Sequence, residues 1–218
     1  MRKVRPGRGR RSGGHGILLA AVALSASGGP AVAADPGTEG RPVAPENNAT
    51  SAMTRTAEQP DVDGDGVAEV VLSGKDVVVV TSPGGRAPEI LRAPDGEGSE
   101  FGAAVAAGDF DDDGFGDLAV GAPWTSAGST SHAGGVWVYH GGSQGLLDAA
   151  GNPVRHFALH QGGGGLPGNR EADDQCGFAL TAGRFSGTRY DGLAVGCPGE
   201  GVGARGWAGG AVAIPGGP

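Results

Sequence analysis

The sequence predicts an all-β chain organised as a partial β-propeller. Three observations carry that prediction: a composition hostile to helices, an internal repeat with a 75-residue register, and short apolar runs bounded by glycine. Gly 46 and Pro 15 make up more than a quarter of the 218 residues. From Glu69 onward no stretch escapes Gly or Pro long enough to hold a 3.6-residue apolar stripe. No Gly-X-Y register runs through the chain, so collagen is excluded.

The N-terminus reads as an export signal. Six basic residues (Arg2, Lys3, Arg5, Arg8, Arg10 and Arg11) precede the apolar run Ile17–Leu24, and the small-residue site Ala31-Val32-Ala33 follows. Residues 1–33 are therefore predicted to be a secretory signal peptide cleaved after Ala33. The run is too short to span a bilayer, so no membrane insertion and a secreted, extracytoplasmic location are expected. Arg10-Arg11 followed by Ser12-Gly13-Gly14 leaves the export route open. Beyond residue 33 all 24 acidic residues face only ten of the 16 basic ones. An acidic body disfavours nucleic acid and anionic membrane as partners and favours a cation.

Residues 34–60 lack any periodic pattern and are expected to form a disordered linker, followed by repeats over 61–218 in copies near 61–95, 101–175 and 176–218. Residues 101–143 match 176–218 without a gap at 16 of 43 positions, including Leu118-Ala119-Val120-Gly121 against Leu193-Ala194-Val195-Gly196. A shorter copy begins at Asp61, 48 residues before Asp109. The middle copy predicts strands near Ala103–Ala107, Asp117–Gly121, Val136–Tyr139 and Arg155–Leu159. Four short strands per unit describe a propeller blade, which stacks on neighbours because it cannot bury both faces alone.

Two acidic segments fall at the same place in the repeat, Asp61–Glu69 and Asp109–Asp117. The first sets Asp61, Asp63, Asp65 and Glu69 at positions one, three, five and nine; the second sets Asp109, Asp111, Asp113 and Asp117 there. Gly66 and Gly114 at position six permit a sharp turn. Such a segment is either a solvated Asp-Gly turn or a metal loop. Two carboxylates about 4 Å apart repel by roughly 4 kcal/mol at an effective dielectric of 20, so four converging ones call for a cation. Calcium accepts six to eight hard oxygens in irregular geometry, and the carbonyls of Val67 and Phe115 at position seven would add a ligand to each loop. Leu72 and Val120 occupy position twelve, where an EF-hand requires a carboxylate.

Phe101-Gly102, the loop Asp109–Asp117 and Gly121-Ala122-Pro123 together resemble the FG-GAP repeat of integrin α-chain β-propellers and of many secreted bacterial proteins. The resemblance covers residues 61–218 and implies two to three blades of an incomplete ring, with calcium held by the matching loop residues. Glu69 departs from the usual Asp by one methylene. The third copy has Arg184, Ser186, Thr188 and Gly192 at the ligand positions, so no calcium is expected there; Arg184 either pairs with Asp191 or lies in a solvated turn.

Cys176 replaces Phe101 and Cys197 replaces Ala122, at the two far ends of a predicted hairpin. In an exported chain this placement suggests one disulfide, the alternative being two small buried apolar residues. Under the same register Pro218 aligns with Ser143, which predicts a truncated product stopping inside a blade, or strands completed by association between chains.

Several motifs look catalytic without the context that catalysis needs. Gly141-Gly142-Ser143-Gln144-Gly145 fits a nucleophile elbow, but Gly151-Asn152-Pro153 leaves no room for the helix such an elbow opens. Neither Gly201–Gly206 nor Gly163–Gly168 opens a helix to cradle a pyrophosphate. His156 and His160 have no third partner placed for zinc. Trp124, Trp137, Trp207 and Tyr139 are expected to pack rather than stack on sugars. The expected function is a secreted, non-enzymatic, calcium-binding module for adhesion or ligand binding, with an extracellular protein or glycan as ligand. The alternatives are a propeller fragment of a secreted hydrolase of the phospholipase D type and a lectin-like sugar binder.

Overall fold

The computed structural model describes residues 60–94 and 99–218. The predicted signal peptide and nearly all of the predicted linker lie outside the described residues. Among those described there is no helix, and ten strands form three antiparallel sheets. No helix there is long and apolar enough to cross a membrane.

The first sheet has the order β1 (Val70–Gly74), β2 (Val77–Thr81), β3 (Glu89–Arg92). β-branched Val at four consecutive β2 positions suits an extended chain, and Asp76 turns the hairpin with φ 59°. The second sheet is a four-strand meander of β4 (Ala104–Gly108), β5 (Asp117–Gly121), β6 (Val136–Tyr139) and β7 (His156–Leu159). Each strand lies within one residue of its expected span. The third sheet contains β8 (Ala179–Gly183), β9 (Gly192–Cys197) and β10 (Gly210–Ile214) in the same order. The register repeats with the sequence: Ala107 pairs with Leu118 as Ala182 pairs with Leu193.

Two apolar clusters lie along the stack. The first joins Val62, Val80 and Leu91 to Leu118, Tyr139 and Leu146. The second joins Phe110, Val136 and Val138 to Leu193 and Val195. Every residue of β5 and β6 is buried, as a strand with neighbours on both sides and both faces requires. Phe101 of the Phe-Gly pair sits fully buried, edge-on to Trp137 at 6.2 Å and Tyr139 at 6.3 Å. In the third sheet this filling is replaced by a disulfide joining Cys176 and Cys197, both buried, which decides between the two expectations for these cysteines.

The motif glycines are there because backbones touch. Gly102 has φ 94° and its equivalent Gly177 φ 91°, a left-handed conformation that disfavours a side chain. A Cβ on Gly121 would collide with the Gly177 carbonyl of the third sheet. The aromatic residues divide: Trp137 and Tyr139 pack inside as expected, whereas Trp124 is 36% and Trp207 65% exposed. The exposed pair lie in turns. Trp124 packs edge-on to His132 at 4.7 Å, and Trp207 has φ 58° just ahead of β10.

Gly121→Ala is expected to destabilise the fold by about 1–3 kcal/mol through this overlap. Gly142→Ala, whose Cβ meets nothing within 4 Å, should be close to neutral in the same denaturant titration. The disulfide spans 21 residues, so its reduction should lower unfolding free energy by roughly 3 kcal/mol, measured with and without reductant.

Candidate metal centres

The first acidic segment leads into β1 and the second into β5, and both fold into the same cage of hydrogen bonds. The position-one carboxylate accepts from the position-six amide: Gly66 N–H to Asp61 Oδ2 at 3.0 Å, Gly114 N–H to Asp109 Oδ2 at 3.2 Å. The position-five carboxylate accepts from position seven, with Val67 N–H to Asp65 Oδ1 at 2.7 Å and Phe115 N–H to Asp113 Oδ1 at 3.0 Å. The position-nine carboxylate reaches back to position two: Val62 N–H to Glu69 Oε2 at 2.7 Å, Phe110 N–H to Asp117 Oδ2 at 2.8 Å. Glu69 thus makes the bond that Asp117 makes, its extra methylene absorbed inside the loop.

The carboxylates converge as two clusters. Asp61, Asp63 and Glu69 each bring an oxygen within 4.8 Å of the others, as do Asp109, Asp111 and Asp113. A further group joins Asp111 and Asp117 to His140, whose Nδ1 lies 3.2 Å from Asp117 Oδ1 and 3.4 Å from Asp111 Oδ2. Asp65 falls outside the first cluster, exposed and committed to the Val67 amide. Val67 and Phe115 hold position seven, with Val67 40% exposed.

Four basic side chains face these loops that the spacing of the acids did not reveal: Arg86, Arg155, His140 and Arg189, the last paired with Asp112. Arg86, ahead of β3, donates to Asp63 Oδ2 at 3.0 Å, and Arg155, ahead of β7, pairs with Asp111. The two arginines sit one residue apart in strand register, and each pairs with the position-three carboxylate of its loop. His140 was open to inference from the strands alone: Leu118 pairs with Tyr139, which puts the next residue opposite Asp117 at the mouth of the hairpin.

The residues fit a hard cation. The donors are carboxylate oxygens, and two of them, Glu69 Oε1 and Asp111 Oδ1, are buried without a hydrogen-bond partner. An unsatisfied buried oxygen is costly, and a metal at the cluster would satisfy it. Burial raises the carboxyl pKa of Glu69, helped by the charges of Asp63 and Asp61 and opposed by the Val62 amide. Burial likewise raises Asp109, with the charges of Asp117 and Asp113 adding to it.

The third loop is built differently, as its residues require. Ser186 and Thr188 hydroxyls bond to each other at 2.8 Å, and Arg184 Nε lies 3.6 Å from Asp191 Oδ1. Of the two alternatives for Arg184, pairing with Asp191 is the one the structure has. Asp191 also accepts the Asp109 N–H at 3.1 Å, so it links the third loop to the second.

Residues 101–139 match the family model described as FG-GAP repeat. The chain thus carries an FG-GAP repeat, and its three antiparallel sheets are those of a partial β-propeller. It is also similar to phosphatidylinositol-glycan-specific phospholipase D of Mus musculus and of Rattus norvegicus, at 48% identity over 52 residues in each case. That stretch is 24% of this chain and 6% of each relative, so the likeness is confined to a small part of those proteins.

The raised Glu69 carboxyl makes a signed prediction. The folded state holds its proton more tightly than the unfolded chain, so with divalent cations chelated, stability falls as pH rises above the ordinary Glu value of 4.5. Glu69→Gln removes this dependence. The melting temperature of the variant relative to wild type should therefore climb as pH rises above 4.5. A flat difference would contradict the assignment.

Proposed function

We propose that the protein is a secreted, non-enzymatic propeller module that binds calcium in its first two acidic loops and uses the stiffened blades to hold an extracellular protein or glycan. The observation that carries this reading is the recurrence of one cage in two loops, each with a buried carboxylate oxygen lacking a partner. Asp61, Asp63 and Glu69 would hold one ion; Asp109, Asp111, Asp113 and Asp117 the other. The position-seven carbonyls of Val67 and Phe115 would complete the oxygen sets. Calcium would cancel the carboxylate repulsion and tie positions one to nine together, with no bond made or broken. The predicted signal peptide, the disulfide and the FG-GAP repeat support an extracellular setting.

A second reading, a propeller segment working beside a secreted hydrolase, is favoured by the stretch shared with phosphatidylinositol-glycan-specific phospholipase D. It requires hydrolysis of phosphatidylinositol-glycan substrates by the purified protein or an associated catalytic chain. The first reading requires none.

Calorimetric titration of the chelator-treated protein should show two calcium ions bound per chain. Saturation at 100-fold above Kd should stabilise the fold by about 2.7 kcal/mol for each site. Asp111→Ala should weaken the second site at least tenfold. Asp112→Ala should change it far less, because Asp112 points to Arg189 at 2.7 Å rather than into the cluster. Absence of heat and of any shift in melting temperature would refute the proposal.

A further inference from the structure

In each sheet one position faces the last acid of the loop, and the three sheets fill it differently. The registers pair Val70 with Thr81, Leu118 with Tyr139 and Leu193 with Ile214. The next residues, Ser82, His140 and Pro215, therefore stand opposite Glu69, Asp117 and Gly192, which hold position nine of their loops. The loop that has lost its acids has a proline here, with no side-chain donor or acceptor. The two loops that keep their acids differ in kind: the first is faced by a hydroxyl, the second by an imidazole.

His140 is 7% exposed, and its N–H is fixed to the Arg155 carbonyl at 2.9 Å. Its Nδ1 lies 3.2 Å from Asp117 Oδ1 and 3.4 Å from Asp111 Oδ2, yet it is buried without a hydrogen-bond partner. A lone pair facing two carboxylates is repelled by them, and a proton on this nitrogen finds no acceptor in line. A cation shared by all three atoms makes the contact attractive. The spacing suits neighbouring ligands of one small ion: bonds of about 2.0–2.2 Å, spread by a right angle to a tetrahedral angle, set ligand atoms roughly 2.8–3.6 Å apart. Asp111 Oδ1 is likewise buried and unpartnered. Arg155 pairs with Asp111 Oδ2, but its side chain is 53% exposed, so it is the member of the group that can withdraw into water.

We propose that His140 makes the second acidic loop a mixed nitrogen and oxygen site, which takes a divalent transition cation of the zinc and cobalt kind on His140 Nδ1, Asp111 and Asp117. The first loop, with Ser82 in the same place, stays an all-oxygen site. The inference rests on the second loop being a cation site, as read above, and adds which cations it selects. Calcium takes oxygen ligands, whereas imidazole nitrogen is a preferred ligand of zinc and its neighbours. Because Asp111 and Asp117 serve both ions, the transition cation and calcium compete for this loop, and only for this loop.

The test is titration of the chelator-treated full protein with Co2+, read by visible absorption, then displacement with Zn2+, with a calcium titration run alongside. One cobalt ion per chain is expected, with absorption that reports a nitrogen ligand and is abolished by zinc. His140→Ser installs the first loop's residue. It should lower the preference for zinc over calcium by at least the roughly 10–100-fold that losing even an outer-shell partner costs. Diffraction at the zinc absorption edge from wild-type crystals soaked in zinc needs no variant, and one anomalous peak is expected within bonding distance of His140 Nδ1. Calcium uptake with zinc bound only at His132, His156 or His160, or a zinc preference indifferent to His140→Ser, would overturn this inference and leave the calcium reading standing. Uptake of neither cation by the second loop would overturn both.

Discussion

The arrangement depends on a pair of backbone hydrogen bonds that each acidic loop accepts from the sheet following it. The carbonyl at position one takes an amide from the next loop: Gly116 N–H to Asp61 at 2.7 Å, and Asp191 N–H to Asp109 at 3.0 Å. The carbonyl at position two takes an amide from the end of the next blade's third strand, Gly142 to Val62 and Gly217 to Phe110. These four bonds hold the loops in file along one side of the stack. At the start of each loop the carbonyls therefore point to a neighbour while the carboxylates turn to the loop's own amides. A blade cannot shift without breaking them, and so the apolar clusters between the sheets keep their register.

Charge is managed in three ways along this file. In the first two loops an arginine from the approach to the outermost strand covers the position-three carboxylate, which itself belongs to the converging cluster. In the third, Arg184 takes the place of the first acid and lies beside Asp191, so a covalent cation stands where the other loops gather acids. The substitution is compensated locally by the hydroxyl pair of Ser186 and Thr188. A loop of this shape therefore tolerates the loss of its acids when a basic residue replaces them. The third loop keeps its backbone bond to the second, donating the Asp191 N–H to the Asp109 carbonyl.

The fold was largely written in local patterns. Glycine-bounded runs such as Leu118–Val120 and Leu193–Val195 mark strands because both residue type and turn spacing are local properties. The cysteine pair was legible because the 75-residue register mapped each cysteine onto a known end of a hairpin. The acidic spacing likewise located both cages. What escaped depends on which residues meet across strands and sheets. Arg86 and Arg155 stand 23 and 44 residues from the carboxylates they cover, and nothing in their own neighbourhood marks them. His140 required the cross-strand register. The burial of Leu146 required knowing which sheet lies above it, and Trp124 and Trp207 are exposed because they fall in turns whose facing surface the repeat does not encode.

The measurement that bears most directly on this account is crystallography of the exported chain grown with calcium, with diffraction collected at a long wavelength where calcium scatters anomalously. The account predicts two anomalous peaks, one within reach of Asp61, Asp63 and Glu69 and one within reach of Asp109, Asp111, Asp113 and Asp117, and none at Arg184. Well-ordered loops without anomalous density at either cluster, their carboxylates paired with Arg86 and Arg155 alone, would contradict it.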